Sequence, residues 1–230
     1  MYDFRKDFKM DIDLNEQELR VLGALIEKEI TTPEYYPLSL NALMAACNQK
    51  SNREPVMNLT EDEVSEALSS LRDKKLVWQL STAGGRVPKF EHNIRSLFTF
   101  TKAETAVLCV LMLRGAQTAG EIKGRTERMY SFSNLQEVEE TLKELISRED
   151  GPFVKELPRQ PGKKEPRFIH LFSTWVVDLL ESSASVDAET PVLKTTTADR
   201  LSELEQEVKK LREELDLLKN EFGEFKRQLE

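Results

Sequence analysis

The sequence repeats itself, and no other feature limits its possible folds as sharply. Glu18-x-x-Val21-Leu22-x-x-Leu25-Ile26 returns as Glu104-x-x-Val107-Leu108-x-x-Leu111-Met112, 86 residues later. An amphipathic stretch carrying Val64, Leu68 and Leu71 returns as Val138, Leu142 and Leu145 at an offset of 74. Pro88-Lys89-Phe90-Glu91-His92 returns as Pro166-Arg167-Phe168-Ile169-His170 at an offset of 78. A unit that recurs in this order must build the same supersecondary motif twice.

Local signals give the elements of that motif. Asn15 and Thr101 stand three residues before Glu18 and Glu104, which predicts capped helix starts: a capping box for the second and a close variant for the first. Thr60 and Ser133 are the expected caps of the later amphipathic helices. Those helices run into short β-rich segments, Leu76-Val77-Trp78 and Phe153-Val154, then a Gly/Pro turn, then the Pro-basic-Phe-x-His segments. Between the first and last helix of each copy the spacing predicts a shorter helix, over about 39–47 and 118–125. Three helices leading into a two-stranded hairpin describe the winged-helix variant of helix-turn-helix, and nothing in the pattern predicts a parallel sheet. The expected fold is α+β, mainly α with small β-hairpins. It comprises an N-terminal extension (1–13), two tandem winged-helix domains (14–97 and 98–173), a linker (174–198) and a coiled-coil helix (199–230).

Longer polar signatures bear a resemblance. Glu27-Lys28-Glu29, Thr31-Thr32-Pro33, Tyr36-Pro37-Leu38-Ser39 and the stretch Cys47-Asn48-Gln49-Lys50-Ser51-Asn52-Arg53-Glu54-Pro55-Val56 resemble the YceH-like family of bacterial proteins. Arg114-Gly115-Ala116-Gln117-Thr118 and Arg148-Glu149-Asp150-Gly151-Pro152-Phe153-Val154 resemble it too, so that the likeness runs from about Leu14 to Ser173. The resemblance implies a tandem winged-helix fold. It implies no activity, catalytic residue or ligand.

The C-terminal segment has its own period. Leu201, Leu204, Val208, Leu211, Leu215, Leu218, Phe222, Phe225 and Leu229 alternate at spacings of three and four, the a/d seam of a coiled coil roughly 43 Å long. Glu207, Glu214 and Glu221 at g precede by five residues Arg212, Lys219 and Lys226 at e. A parallel homodimer pairs these with opposite sign, whereas an antiparallel one sets like against like. The expected partner is therefore a second copy of the chain. The alternative is a helix folded back on its own domains, which the bulk of Phe222 and Phe225 keeps open.

Composition excludes several classes. The longest apolar run, Ala106 to Leu113, is far short of the roughly 20 residues a membrane span needs, so no membrane association is expected. Cys47 and Cys109 lie alone in apolar helical patterns and make neither a disulfide framework nor a zinc cluster, which points to a cytoplasmic setting. The net charge of −8 is uneven: thirteen cations face sixteen acids in residues 1–97, twelve face twelve in 98–178, and the tail holds the remaining excess of acids. Ala83-Gly84-Gly85-Arg86 lacks the spacing of a phosphate loop and reads as a wing tip. His92 and His170 have no ligand-spaced neighbours and occupy equivalent places beside a core phenylalanine, which predicts structural roles. Glu139-Glu140 and Glu213-Glu214 read as solvated faces rather than a catalytic pair. No enzyme activity, metal or cofactor is expected.

Two functional classes remain. A winged helix usually lays its third helix in the major groove, yet here that helix carries Glu61, Asp62, Glu63, Glu66 and Asp73 in the first copy, against Arg72, Lys74 and Lys75 near its end. In the second it carries Glu137, Glu139, Glu140 and Glu144 against Lys143. Carboxylates facing phosphates repel them. Basic candidates for phosphate contact lie elsewhere: Asn48, Gln49, Lys50, Asn52 and Arg53 in one loop, Arg86 and Lys89 in the first wing, Arg159, Lys163, Lys164 and Arg167 in the second, with Lys155 nearby. The 48–53 stretch reads equally well as a polar turn whose amides cap helix ends. The favoured expectation is a DNA-associated regulator using the wings and this loop. The alternative is a protein-binding scaffold that meets a basic partner with its acidic helices and an apolar patch including Tyr35 and Tyr36.

Overall fold

The computed structural model describes residues 12–80, 87–159, 162 and 165–173. In the first half α1 (Glu16–Thr31) leads through a 3-10 turn (Pro33–Tyr35) to the two-residue strand β1 (Leu38–Ser39). Then come α2 (Leu40–Cys47), α3 (Glu61–Asp73), β2 (Val77–Leu80) and β3 (Lys89–His92). A short α4 (Ile94–Leu97) joins this to the second half: α5 (Lys102–Arg114), α6 (Ala119–Thr126), α7 (Leu135–Ser147), β4 (Val154–Leu157) and β5 (Arg167–His170). The architecture is thus α+β, helices with two small antiparallel sheets. The heptad segment, with Leu201, Leu204, Val208, Leu211, Leu215, Leu218, Phe222, Phe225 and Leu229, lies outside the described residues, as do Arg86, Lys163 and Lys164.

The offsets that reveal the repeat correspond to ion pairs. Glu18 accepts the backbone N–H of Asn15 at 2.8 Å while the Asn15 side chain accepts that of Glu18, so both reciprocal bonds of a capping box are made. The same buried carboxylate takes the Lys74 ammonium at 2.7 Å, just past the end of α3. In the second half Glu104 caps α5 with Thr101 and pairs with Arg148 at 3.1 Å, past the end of α7. Burial alone would raise the Glu18 carboxyl, but Lys74, Ser70 and the cap bond together hold it below the usual carboxylate range. The repeated glutamate therefore does two jobs, closing the start of its own helix and tying down the end of the third.

The hairpins attach in the same way in each half. Leu76 and Phe153 give their N–H groups back to the carbonyls of Leu71 and Leu145, which closes the third helices. For this reason the strands begin one residue later than the β-rich pattern predicts, at Val77 and Val154. In the first sheet the order is β1-β3-β2, with Leu38 opposite Phe90 and Val77 opposite His92. In the second, β4 pairs with β5, and Gln117 forms a single bridge to Phe168 where the first half has β1. The cap of α7 is Asn134, not the expected Ser133. The Asn134 side chain accepts the Glu137 N–H at 2.9 Å, and Ser133, one residue earlier, gives its own backbone N–H to the Glu137 carboxylate.

The two halves share one continuous apolar core. Every residue from Glu18 to Glu27 of α1 and from Glu104 to Leu113 of α5 is buried, and a helix buried on all sides must have a partner on each. α1 packs on α2, α3 and β3 of its own half and on α5 of the other. A Cβ on Gly23 would lie 2.9 Å from Leu113 Cδ2, so the missing side chain permits the close crossing. At the same point the Cys109 thiol donates to the Gly23 carbonyl at 3.4 Å. A second tie runs from the Leu14 N–H to the Phe172 carbonyl at 2.8 Å, beside a cluster of Phe98, Phe100, Phe153 and Phe172 rings.

The histidines are buried as the repeat predicts, but only one has a carboxylate. His92 Nε2 lies 2.9 Å from Glu29, and its backbone N–H donates to the Tyr36 hydroxyl at 2.7 Å. The offset that relates α1 to α5 puts Gly115 where Glu29 would stand, and burial drives His170 down to about 4. Since the unfolded chain binds a proton on this residue near its ordinary value and the folded chain does not, His170 stabilises the fold above about pH 6.5. That contribution is lost as pH falls toward 4, amounting to about 3 kcal/mol in all. Replacing it by Phe should remove about one proton's worth of slope from the pH dependence of urea-unfolding free energy between pH 6.5 and 5. An unchanged slope would show that His170 already carries its proton in the folded state.

Candidate functional site

The loop between α2 and α3 holds the residues singled out for phosphate contact, and the structure turns most of them inward. Asn48 ends α2, and its side-chain amide makes two bonds to the backbone of Leu59, donating to the carbonyl at 2.8 Å and accepting the N–H at 2.7 Å. Gln49 Oε1 accepts from Lys28 and from Arg53. Asn52 takes a left-handed conformation with φ 58°, which asparagine tolerates, and its side-chain oxygen accepts from Arg114 at 2.9 Å. The bland reading of this stretch, amides that cap and close a turn, is the one these bonds support.

Arg53 is the clearest correction. Its side chain has no solvent exposure and forms a two-pronged pair with Glu27, at 3.1 and 2.6 Å. The remaining donor capacity goes to the Ala46 and Asn52 carbonyls and to Gln49. Burial would raise the Glu27 carboxyl, but Arg53 and Lys28 hold it below the usual range, so the pair is charged on both sides. Arg53 therefore cannot reach a phosphate without leaving its buried carboxylate only the longer 3.5 Å contact with Lys28. Beside it Arg20, also buried, donates to the carbonyls of Cys47 and Pro55 at 3.1 and 2.6 Å. Sequence reasoning passed over Arg20 and Glu27. Their signal was available: two charged residues seven apart on one face, bracketing the apolar run Val21 to Ile26.

Of the other basic candidates, Lys50, Lys89 and Arg159 are exposed. Arg167 is half-buried and leans on Glu121 at 3.3 Å. Arg159 borders a groove of about 280 Å³ between α7 and the second hairpin, with Leu135, Ile146, Pro166 and Phe168 on its walls and Glu139, Lys143, Glu156 and Glu165 around them. Tyr35 is exposed, but Tyr36 is engaged by its bond to His92 and does not join it in a patch. A different apolar set is exposed on the first hairpin, Trp78 and Leu80 on one face of β2, with Val87 ahead of β3.

The third helices keep their carboxylates in solvent. Glu61, Asp62, Glu66 and Asp73 of α3 are exposed against Arg72, and Glu139, Glu140 and Glu144 of α7 against Lys143. Glu63 and Glu137 are used in helix starts. Among the described residues there is no group of three or more His, Cys, Asp or Glu placed to hold a metal, and no helix long and apolar enough to cross a membrane.

Residues 14–163 match the family model described as "Protein of unknown function, DUF480". A UPF0502 protein of Enterobacter sp. (strain 638) is 49% identical over 219 residues, covering 94% of this chain and all of that one. A UPF0502 protein of Citrifermentans bemidjiense is 51% identical over 199 residues, covering 86% of this chain and 90% of its own. The UPF0502 protein YceH of Escherichia fergusonii is 47% identical over 219 residues, covering 94% of this chain and all of that one.

If the 48–53 loop is a structural clamp, its two basic residues must behave differently. Arg53→Ala should cost about 3–5 kcal/mol in denaturant unfolding, because the buried Glu27 loses its two-pronged partner and keeps only the 3.5 Å contact with Lys28. Lys50→Ala should change stability by no more than about 0.5 kcal/mol. Equal and small effects at both positions would contradict the clamp.

Proposed function

The chain belongs to the DUF480 family of bacterial proteins, and we propose that it is a non-catalytic protein-interaction module made of two winged-helix units. The order helix, strand or bridge, helix, helix, hairpin in each half supports the winged-helix reading. The observation that carries the function is the exposed acidic face of both third helices. In a DNA reader this is the surface laid against phosphates, where each carboxylate repels and releases no counterion. The same surface is complementary to a basic protein patch, with the groove beside α7 and the exposed Leu135 offering an apolar anchor.

A nucleic-acid-associated role through the wings is the second reading, favoured by the exposure of Lys50, Lys89 and Arg159. It loses Arg53 to the clamp and part of Arg167 to Glu121. Pairing of two copies through the C-terminal heptads would double either surface and raise its avidity.

A photoreactive amino acid at Ser65 or Ser69, both exposed on α3, separates the two in cells. The protein-module reading expects protein adducts that are lost when Glu61, Asp62 and Glu66 become Gln. It also expects no retardation of duplex fragments by the purified chain at low salt. Nucleic-acid adducts from α3, with a salt-sensitive mobility shift, would overturn it.

A further inference from the structure

We propose that the junction of the two repeats is a binding site for a small oxyanion, the phosphate of a phosphorylated metabolite or free phosphate, held by Arg114 and Arg125. Arg125 and Arg167 both lean on Glu121 there, and Arg114 feels the charges of Arg125, Glu54 and Glu121. Arg114 ends α5 and reaches across to the first half, giving one N–H to Asn52 Oδ1 at 2.9 Å. No carboxylate pairs with it at ion-pair distance among the described residues, and its Nε–H is buried without a hydrogen-bond partner. Arg125, on α6, has a second such donor: its Nη1 is buried and unpartnered. The two cations are close enough that Arg125, after burial itself, is the largest influence lowering the Arg114 pKa, with Arg53 acting in the same sense.

Arg125 and Arg167 share one carboxylate, Glu121, which is already committed, while Glu54 is the stronger negative influence on Arg114 and Glu121 the weaker. Glu121 accepts the Thr118 N–H at 2.9 Å in the capping box that starts α6. Its contacts to Arg125 and Arg167 are long, 3.5 and 3.3 Å. Three guanidinium groups against the two carboxylates of Glu121 and Glu54 leave an excess of positive charge beside two unused donor nitrogens. Buried donors without acceptors are costly, and a planar guanidinium edge presents its donors in the spacing that phosphate oxygens accept.

The chemistry favours a compact anion. The unpartnered N–H groups are buried rather than presented on the surface, so a duplex backbone meets the surface before it reaches them. A single phosphate could enter as Arg125 swings from its long contact with Glu121, since its side chain is about a quarter exposed, 27%. With Asn52 contributed by the first half and the arginines by the second, an anion bound here would touch both repeats.

Calorimetric titration of the intact protein with inorganic phosphate, at constant ionic strength set by chloride, tests the site. Parallel arms use glycerol phosphate as a phosphomonoester and a short duplex. The expected result is phosphate or phosphomonoester binding that weakens at least about tenfold in Arg125→Gln and in Arg114→Gln, is partly retained in Arg125→Lys, and is unchanged in Arg95→Gln. Phosphorus NMR of free phosphate, broadened by the wild type and not by Arg125→Gln, gives a second readout that does not depend on Arg114 variants folding. Preference of the glycerol phosphate arm over free phosphate would identify a phosphorylated metabolite as the ligand; the reverse would identify the free ion. Indifference to phosphate over chloride would overturn the site, as would a duplex that binds through the same arginines in place of the small anions. Because the test reads small anions, its failure leaves the acidic-helix reading of function standing, and the reverse holds too.

Discussion

Two helices buried on every side cross where one of them has no side chain. α1 and α5 are the first helices of the two repeats, and neither has a solvent face through its central turns. Each covers the other, with Gly23 setting the distance and the Cys109 thiol reaching the Gly23 carbonyl. A small unit of three helices and a hairpin has little apolar area to bury alone. Sharing the central pair lets two such units form one core, and from that pair hang α2, α3 and the first sheet on one side and α6, α7 and the second sheet on the other.

The polar residues near this seam follow from the same constraint. A loop that must pass between α2 and α3 beside buried helices carries backbone carbonyls out of water, and each needs a donor. Arg20 and Arg53 supply donors to Cys47, Pro55, Ala46 and Asn52, and Glu27 balances Arg53. Glu54 N–H then reaches the Leu113 carbonyl at the end of α5, and Arg114 reaches Asn52. The polar stretch between α2 and α3 is thus a fastening between the halves, which leaves surface chemistry to the third helices, the hairpins and the arginine group of α5 and α6.

Much of this was legible in the residues. The repeat gave the element order, because capping residues, apolar stripes and the Pro-basic-Phe-x-His segment recur in register, and those signals are local. The strand Leu38–Ser39, the 3-10 turn and α4 were not, since two to four residues show no period. Ser133 was the expected cap, but its neighbour Asn134 is equally good at capping, and only the backbone shows that Asn134 is the one used. Arg53 was read as a phosphate contact because a basic residue in a polar loop looks solvated until its partner is known. Glu27 lies twenty-six residues away, and only the packing of α1 brings them together. Pairing across the fold is what a single sequence conceals, and the candidate site was less legible than the fold for that reason.

The acidic third helices and the anion site both presuppose that the two halves are one body. Native-state amide hydrogen exchange on the wild type and on Gly23→Leu measures that directly. With a shared core, the central amides of α1 and α5 open at the same, highest free energy. Gly23→Leu then lowers both together by about 1–3 kcal/mol, the range for overpacking a well-filled core. If the substitution lowered protection in α1 and its own half alone while α5 kept its wild-type value, the halves would be independent and the account built on their shared helices would be wrong.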